Sequence, residues 1–170
     1  QISQPFSVIK LSQFYGIELD DFAHEVAILS LWLAEHQMNV EFKVEFGELL
    51  PSLPLKKSLG IISGNSAQLN WRDVCKCSQF DEVYIVGNPP YLGARQQNSD
   101  QKQDIKNVFK EMKGANNLDY ISIWFEKAAC YIKGREKSKF AFVATNSIAQ
   151  GTQVSILWPQ IFDKNLEIFF

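Results

Sequence analysis

Val83-Tyr84-Ile85-Val86-Gly87-Asn88-Pro89-Pro90-Tyr91 is an apolar run that ends in a polar, proline-stiffened turn. Val83 to Val86 reads as a buried strand. Neither Pro89 nor Pro90 has a backbone N–H, and both have φ fixed, so the turn after that strand is stiff. Pro90 also pushes Pro89 towards extended backbone. Such a turn presents acceptors: the Asn88 side-chain carbonyl and the Pro89 backbone carbonyl. Two acceptors side by side suit an exocyclic amino group, which carries two N–H donors. Tyr91 adds a flat face on which a planar ring can stack. The stretch therefore points to a site that holds the amino nitrogen of a nucleobase.

Strands and helices alternate on either side of this turn. Phe14 to Leu19 reads as a short strand, followed by Asp20 and Asp21 as N-cap and first-turn acid. A helix is expected from Asp21 to about His36, with Phe22, Val26, Leu29 and Leu33 along its inner face. Val40 to Phe46 alternates apolar and charged residues and reads as a half-exposed strand. Pro51-Ser52-Leu53-Pro54 breaks it. Leu59 to Ile62 reads as a strand closed by Gly64-Asn65-Ser66. Beyond the key turn, Gln101 to Met112 reads as a helix with Ile105, Val108, Phe109 and Met112 on one side. A second helix is expected from Leu118 to about Ile132, capped by Asn117 or Asp119, with Ile121, Phe125, Ala128 and Ile132 inward. Lys139 to Ala144 reads as a strand, Gln153 to Phe162 as a helix containing Pro159, and Leu166 to Phe170 as a last strand. This alternation argues for a parallel α/β sheet.

In such sheets ligands bind at the carboxyl ends of strands. Polar residues stand at four of those ends: Glu18, Asn65-Ser66, Asn88-Pro89-Pro90-Tyr91 and Thr145-Asn146-Ser147. Each has a plainer reading as well. An acid after a strand also caps helices, and Asn-Ser or Thr-Asn-Ser is also ordinary turn chemistry.

Bulk properties bound the rest. The 170 residues suit one domain, and a 46% hydrophobic, 21% charged composition is ordinary for a globular protein. No apolar run approaches the ~20 residues of a membrane span. The three cysteines (Cys75, Cys77 and Cys130) are odd in number and spaced C-x-C, which argues against a disulfide framework. The histidines are His24 and His36 alone, so a zinc site lacks ligands, and no metal is expected. A reducing cytoplasm is the plain reading. The net charge of −2 does not announce a nucleic-acid binder. It is unevenly spread: residues 1–90 carry −5, residues 91–140 carry +4 and residues 141–170 carry −1. The basic stretch begins just after the Asn-Pro-Pro-Tyr turn.

The order strand–Glu18, strand–Asn65-Ser66, strand–Asn88-Pro89-Pro90-Tyr91, helix, strand–Thr145-Asn146-Ser147 resembles the amino-methylating DNA methyltransferases. The likeness is greatest to adenine-N6 methyltransferases of the large fused restriction–modification type. Gly16-Ile17-Glu18-Leu19, Trp32-Leu33-Ala34-Glu35-His36-Gln37 and Thr145-Asn146-Ser147-Ile148-Ala149-Gln150-Gly151 carry that likeness, which spans nearly the whole chain.

The resemblance implies a doubly wound, mostly parallel, Rossmann-like sheet that binds S-adenosylmethionine and acts on DNA in a prokaryotic cytoplasm. It implies that Glu18, with Leu19 beside it, accepts hydrogen bonds from the ribose hydroxyls of that cofactor. Asn65 and Ser66 would lie beside the cofactor's adenine; the family usually has Asp where this chain has Asn65. Asn88 and the Pro89 carbonyl would hold the target amino group next to the cofactor, with Pro90 stiffening the turn and Tyr91 stacking on the base. Thr145, Asn146 and Ser147 would line the pocket floor. Arg95 and Lys102, on a loop from Leu92 to Lys102, would face DNA.

The family also needs a Gly-rich turn after its first strand, and the nine glycines here include no G-x-G. Residues 1–170 therefore read as one partial catalytic domain, an internal piece of a longer protein, without the first strand, the last hairpin strand and the target-recognition domain. The isolated piece is expected not to methylate. Its sheet, lacking a central strand, must rearrange, leave a gap or self-associate through unpaired edges. Other readings stay open: N4-cytosine methylation, methylation of RNA or of protein glutamine, and a domain that only binds.

Overall fold

Two stretches of the chain are each organised around one pair of parallel strands. The computed structural model describes residues 9–47, 60–110 and 112–169. By backbone contacts it divides into Gln1–Cys75 and Lys76–Phe170. It is mixed α/β throughout, as expected, with its strands short and in two pairs.

In the first unit, β1 (Tyr15–Glu18) lies parallel to β2 (Gly60–Ser63), with Glu18 opposite Ser63. Between them runs α1 (Asp21–Phe46). Asp20 caps it as expected, its side chain accepting from the Ala23 N–H at 2.8 Å. The Ser63 hydroxyl donates to Asp21 Oδ1 at 2.9 Å, tying the first turn of α1 to the end of β2. A short helix, α2 (Trp71–Val74), closes the unit.

The helix does not stop near His36, and Val40 to Phe46 is its last two turns rather than a strand. Once a helix is nucleated, each further residue adds a hydrogen bond at little cost, so elongation outweighs a local alternating pattern. Phe42 and Phe46, four apart, bring their ring centroids to 4.6 Å on one face. Gly47 ends the helix in the left-handed conformation at φ 76°, its N–H bonding to the Lys43 carbonyl at 2.8 Å.

The apolar stripe Phe22, Val26, Leu29 and Leu33 is solvent-exposed, contrary to expectation; Phe22 is 78% exposed. The half-buried face is Ala23, His24, Ala27, Ile28, Leu31 and Trp32. His24 pins it, with Nε2 at 3.3 Å from the Ile61 carbonyl of β2. The helix is apolar on both sides, so periodicity alone could not choose its inner face. Leu59 and the Pro51–Pro54 break lie outside the described residues.

The second unit holds β3 (Tyr84–Gly87) parallel to β4 (Lys139–Phe142), with Gly87 opposite Phe142. The helices are α3 (Ser99–Phe109), α4 (Ser122–Ile132) and α5 (Gly151–Phe162). The core includes Ile105, Phe109, Leu118, Leu157 and Ile161 with Ile121, Phe125, Ala128 and Ile132, the four residues expected to point inward from α4; Ile123, Trp124, Ala129 and Tyr131 on its other sides are buried too. Phe125 ties α4 to β4 and α5, meeting Phe140, Phe142 and Trp158 edge-on at 6.0, 5.4 and 5.8 Å.

Four expectations for this unit need correction. β3 is not a buried strand: Tyr84 is 63% and Val86 78% exposed, because a two-stranded sheet leaves faces and edges uncovered. α3 ends at Phe109, so Met112 lies beyond it. α4 begins at Ser122, not Leu118, and neither Asn117 nor Asp119 is its N-cap. Leu166 to Phe169 is irregular, since no described strand pairs with it; Phe170 is outside the described residues. α5 runs unbroken through Pro159.

Two groups on α4 sit at unusual protonation midpoints. Burial, partly opposed by Asp104, pulls half-buried Lys127 down to about 8. Burial and a hydrogen bond to Glu126 push Cys130 up to about 11.

Leu157→Ala, at a fully buried site, is expected to cost about 2–5 kcal/mol. Val44→Ala, at an 82% exposed site, should stay within about 0.5 kcal/mol. Denaturant unfolding followed by tryptophan fluorescence measures both, and equal effects would contradict the assigned core. Lys127 supplies a pH test. The unfolded chain binds its proton up to the ordinary value of 10.5 while the folded chain releases it near 8, so this group makes stability rise with pH across that window. Cys130 acts in the opposite sense, but equally in wild type and variant. Lys127→Met should therefore be more stable than wild type below about pH 8, with the advantage fading by pH 10.5. An advantage that grows with pH would contradict the burial of Lys127.

Candidate functional site

In each unit the polar residues singled out in the sequence leave from one end of a parallel strand pair. That end is set by chain direction: both strands of a pair run the same way, so both carboxyl ends lie together.

In the first unit Glu18 closes β1 opposite Ser63, and Asn65-Ser66 follow two residues on. The Gly64 N–H donates to the Glu18 carbonyl at 2.8 Å. Gly64 holds φ at 156°, and a Cβ there would come within 2.7 Å of Leu69 Cδ1, so this step requires glycine. Glu18 is half-buried. Its Oε1 accepts from the Leu19 N–H at 3.0 Å, and its other oxygen has no hydrogen-bond partner among the described residues. Asn65 is occupied locally: its Oδ1 accepts from the Ala67 N–H at 2.9 Å, forming an Asx-turn. The Ser66 carbonyl accepts from the Trp71 indole at 2.9 Å. The plainer, turn-forming reading of Asn65 is thus present in the geometry.

In the second unit the Gly87 carbonyl accepts from the Val143 N–H at 3.0 Å, completing the β3–β4 ladder at the threshold of the turn. Asn88 and Pro90 are exposed, Pro89 is buried, and Tyr91 is 50% exposed. Residues 88–91 make no hydrogen bond among the described residues. Both acceptors, the Asn88 amide oxygen and the Pro89 carbonyl, are therefore unspent.

The chain is caught again at Leu92. Its N–H donates to Asp119 Oδ1 at 2.9 Å, and its carbonyl accepts from the Tyr120 N–H and from Gln97 Nε2, each at 2.9 Å. Asp119 and Gln97 are buried, and sequence reasoning missed their place beside the turn. Asp119 drew notice only as a helix cap, and Gln97 gave no signal at all.

From β4 the chain reaches Thr145, which is half-buried, and the exposed Asn146 and Ser147 on a short 3₁₀ turn. The Thr145 and Ser147 hydroxyls are 2.6 Å apart. Thr145-Asn146-Ser147 and Asn88-Pro89-Pro90-Tyr91 thus leave the same end of the same strand pair. Arg95 is exposed on the turn after Leu92. With Gly93, Ala94, Gln96, Asn117 and Thr152 it borders an open cleft of about 600 Å³. Lys102 is exposed on α3. Among the described residues no cluster of His, Cys, Asp or Glu could hold a metal, and no helix is long and apolar enough to cross a membrane.

Comparison with known proteins gives these strand ends a family. The model of the MmeI DNA-methyltransferase domain matches residues 1–170. A relative from Bacillus subtilis (strain 168), DNA methyltransferase A, is 48% identical over 163 residues, which are 95% of this chain and 18% of that protein. The solved structure of the Type IIL restriction-modification enzyme MmeI in complex with DNA superposes with a TM-score of 0.81 at 42% identity, over 92% of this chain and 21% of that one. The chain thus spans about a fifth of the length of the relatives it matches. It belongs to the MmeI DNA-methyltransferase domain family, the methyltransferase part of restriction–modification-type enzymes.

Proposed function

We propose that the protein carrying this chain transfers a methyl group from S-adenosylmethionine to the N6 amino group of adenine in DNA, within a cytoplasmic restriction–modification system. Residues 1–170 are part of its catalytic domain, and base readout belongs to a domain elsewhere in the protein. The observation that carries this reading is the pair of unspent acceptors beside a half-exposed aromatic ring, at the carboxyl end of β3. The DNA-methyltransferase relatives and the DNA bound to MmeI support the substrate class.

The residues present fit the cofactor. A carboxylate at the end of β1 with one oxygen without a partner among the described residues suits a ribose diol, and Leu19 adjoins it. Asn65 and Ser66 stand two and three residues beyond Ser63, the partner of Glu18, and are the residues we assign to the cofactor's adenine. Bound S-adenosylmethionine supplies an electrophilic methyl group on a sulfonium centre.

The adenine amino nitrogen is a poor nucleophile, because its lone pair is delocalised into the ring. Asn88 Oδ1 and the Pro89 carbonyl each accept one of its N–H bonds. Paired acceptors favour a pyramidal nitrogen and stabilise the positive charge that develops there as the N–C bond forms and the methyl–sulfur bond breaks, leaving a neutral thioether; the methylated nitrogen then loses one proton to solvent. Tyr91 stacks on the base, offsetting part of the few kcal/mol needed to extrude it from the duplex. Thr145, Asn146 and Ser147 shape the pocket from the neighbouring strand end. Arg95 and Lys102 contact phosphates from the basic stretch.

Asn88→Ala in the full-length protein should lower methyl transfer at least 10²–10³-fold, the usual effect of losing one such polar contact. Expression in a host without DNA methylation, followed by mass spectrometry of its nucleosides, reads this directly. N6-methyladenine in the wild type that vanishes in the variant is expected. N4-methylcytosine instead, or no methylated base from a folded protein, would overturn the adenine assignment. The isolated 170-residue chain, with no G-x-G turn, should not methylate and should show no saturable micromolar binding of S-adenosylmethionine by calorimetric titration. A saturable micromolar isotherm would contradict that.

A further inference from the structure

The Asn88–Tyr91 turn cannot hold itself. Its prolines donate no hydrogen bond, and its acceptors are kept free for another molecule. Rigidity must come from its two ends. The Gly87 end belongs to the sheet. The Leu92 end belongs to a buried polar cluster outside the turn, and that cluster is more elaborate than closing a loop requires.

We propose that Asp119, supported by Gln97 and Gln153, is the positioning residue that sets Tyr91 and the Pro89 carbonyl for methyl transfer; this rests on the function proposed above. Asp119 is 6% exposed, Gln97 5% and Gln153 9%. Asp119 Oδ1 takes the Leu92 N–H at 2.9 Å and the Ile121 N–H at 3.2 Å. Gln97 Nε2 bridges the carbonyls of Leu92 and Leu118, both at 2.9 Å. Gln153, reaching in from α5, accepts the Asp119 N–H at 3.1 Å and donates to the Asn117 carbonyl at 2.9 Å. The residue after Tyr91 thus has both its backbone groups fixed by partners that are themselves fixed.

A single acceptor atom, Asp119 Oδ1, takes the backbone N–H groups of both Leu92 and Ile121, so it ties the residue after Tyr91 to the chain entering α4. That suits a site in which about 1 Å of displacement can cost on the order of 10²-fold in rate.

The test uses the full-length protein, with steady-state methyl transfer to DNA and hydrogen–deuterium exchange over a peptide spanning residues 88–93. Asp119→Ala is expected to lower kcat about 10²-fold, leave KM for S-adenosylmethionine within about threefold, and speed exchange in that peptide. Asp119→Asn keeps an acceptor at the same place and should recover most of kcat and protection. If Asp119→Ala does not fold, Gln97→Met leaves Asp119 in place, removes the donor shared by the Leu92 and Leu118 carbonyls, and should still lower kcat about tenfold with faster exchange. Wild-type kcat and exchange in folded Asp119→Ala or Gln97→Met would overturn the proposal. So would an Asp119→Asn protein as slow as the alanine variant, since charge rather than positioning would then be at work. If the wild type itself transfers no methyl group, the functional reading fails, and the exchange comparison still decides whether Asp119 positions the turn.

Discussion

Two adjacent prolines remove two backbone donors from the place where a turn would normally bind itself together. Everything around Asn88-Pro89-Pro90-Tyr91 answers that deficit. On one side the β3–β4 ladder closes on the Gly87 carbonyl, and the Phe125 cluster packs β4 against α4 and α5. On the other, Asp119 and Gln97 take both backbone groups of Leu92. The turn between is stiff by covalent restriction rather than by hydrogen bonding. Its acceptors, the Asn88 side chain and the Pro89 carbonyl, are consequently left without hydrogen-bond partners among the described residues.

The first unit solves a similar problem with different chemistry. Glu18 must stand at a strand end without being drawn fully into the helix that follows. Asp20 takes the capping duty, and among the described residues the Glu18 side chain hydrogen-bonds to its neighbour's N–H alone. Gly64 lets the second strand turn sharply away, past Leu69. In both units a parallel pair supplies the platform, and the residues just beyond it supply the polar groups. Parallel pairing puts the ends of both strands on one side, which is why sites collect there.

Much of this was legible in the sequence, and the failures have physical reasons. Short apolar runs bounded by Gly, Asn and Pro located β1 to β4. The 3.6-residue period of α4 found Phe125, Ala128 and Ile132, but Ile123, Trp124, Ala129 and Tyr131 are buried as well, so that helix has no single inward stripe. Val40 to Phe46 misled because a charged–apolar alternation resembles a strand, while a helix already under way needs a stop signal that first comes at Gly47. The inner face of α1 was not legible because that helix is apolar on two sides. Val86 reads as core, yet a strand in a two-stranded sheet has too few neighbours to bury it. Within the candidate site, Asn88 and Tyr91 announce themselves by their prolines. Asp119 acts 27 residues from Leu92 and Gln97 joins Leu92 to Leu118, 21 residues beyond Gln97, tertiary relations that local pattern does not carry.

The central claim is that the turn holds one amino group through two acceptors. A crystal structure of the full-length protein with target DNA and a non-reactive analogue of S-adenosylmethionine tests it most directly. The account predicts an extruded base stacked on Tyr91, its amino nitrogen about 2.7–3.2 Å from both Asn88 Oδ1 and the Pro89 carbonyl oxygen. A base held elsewhere, or an amino nitrogen that reaches neither acceptor, would contradict it.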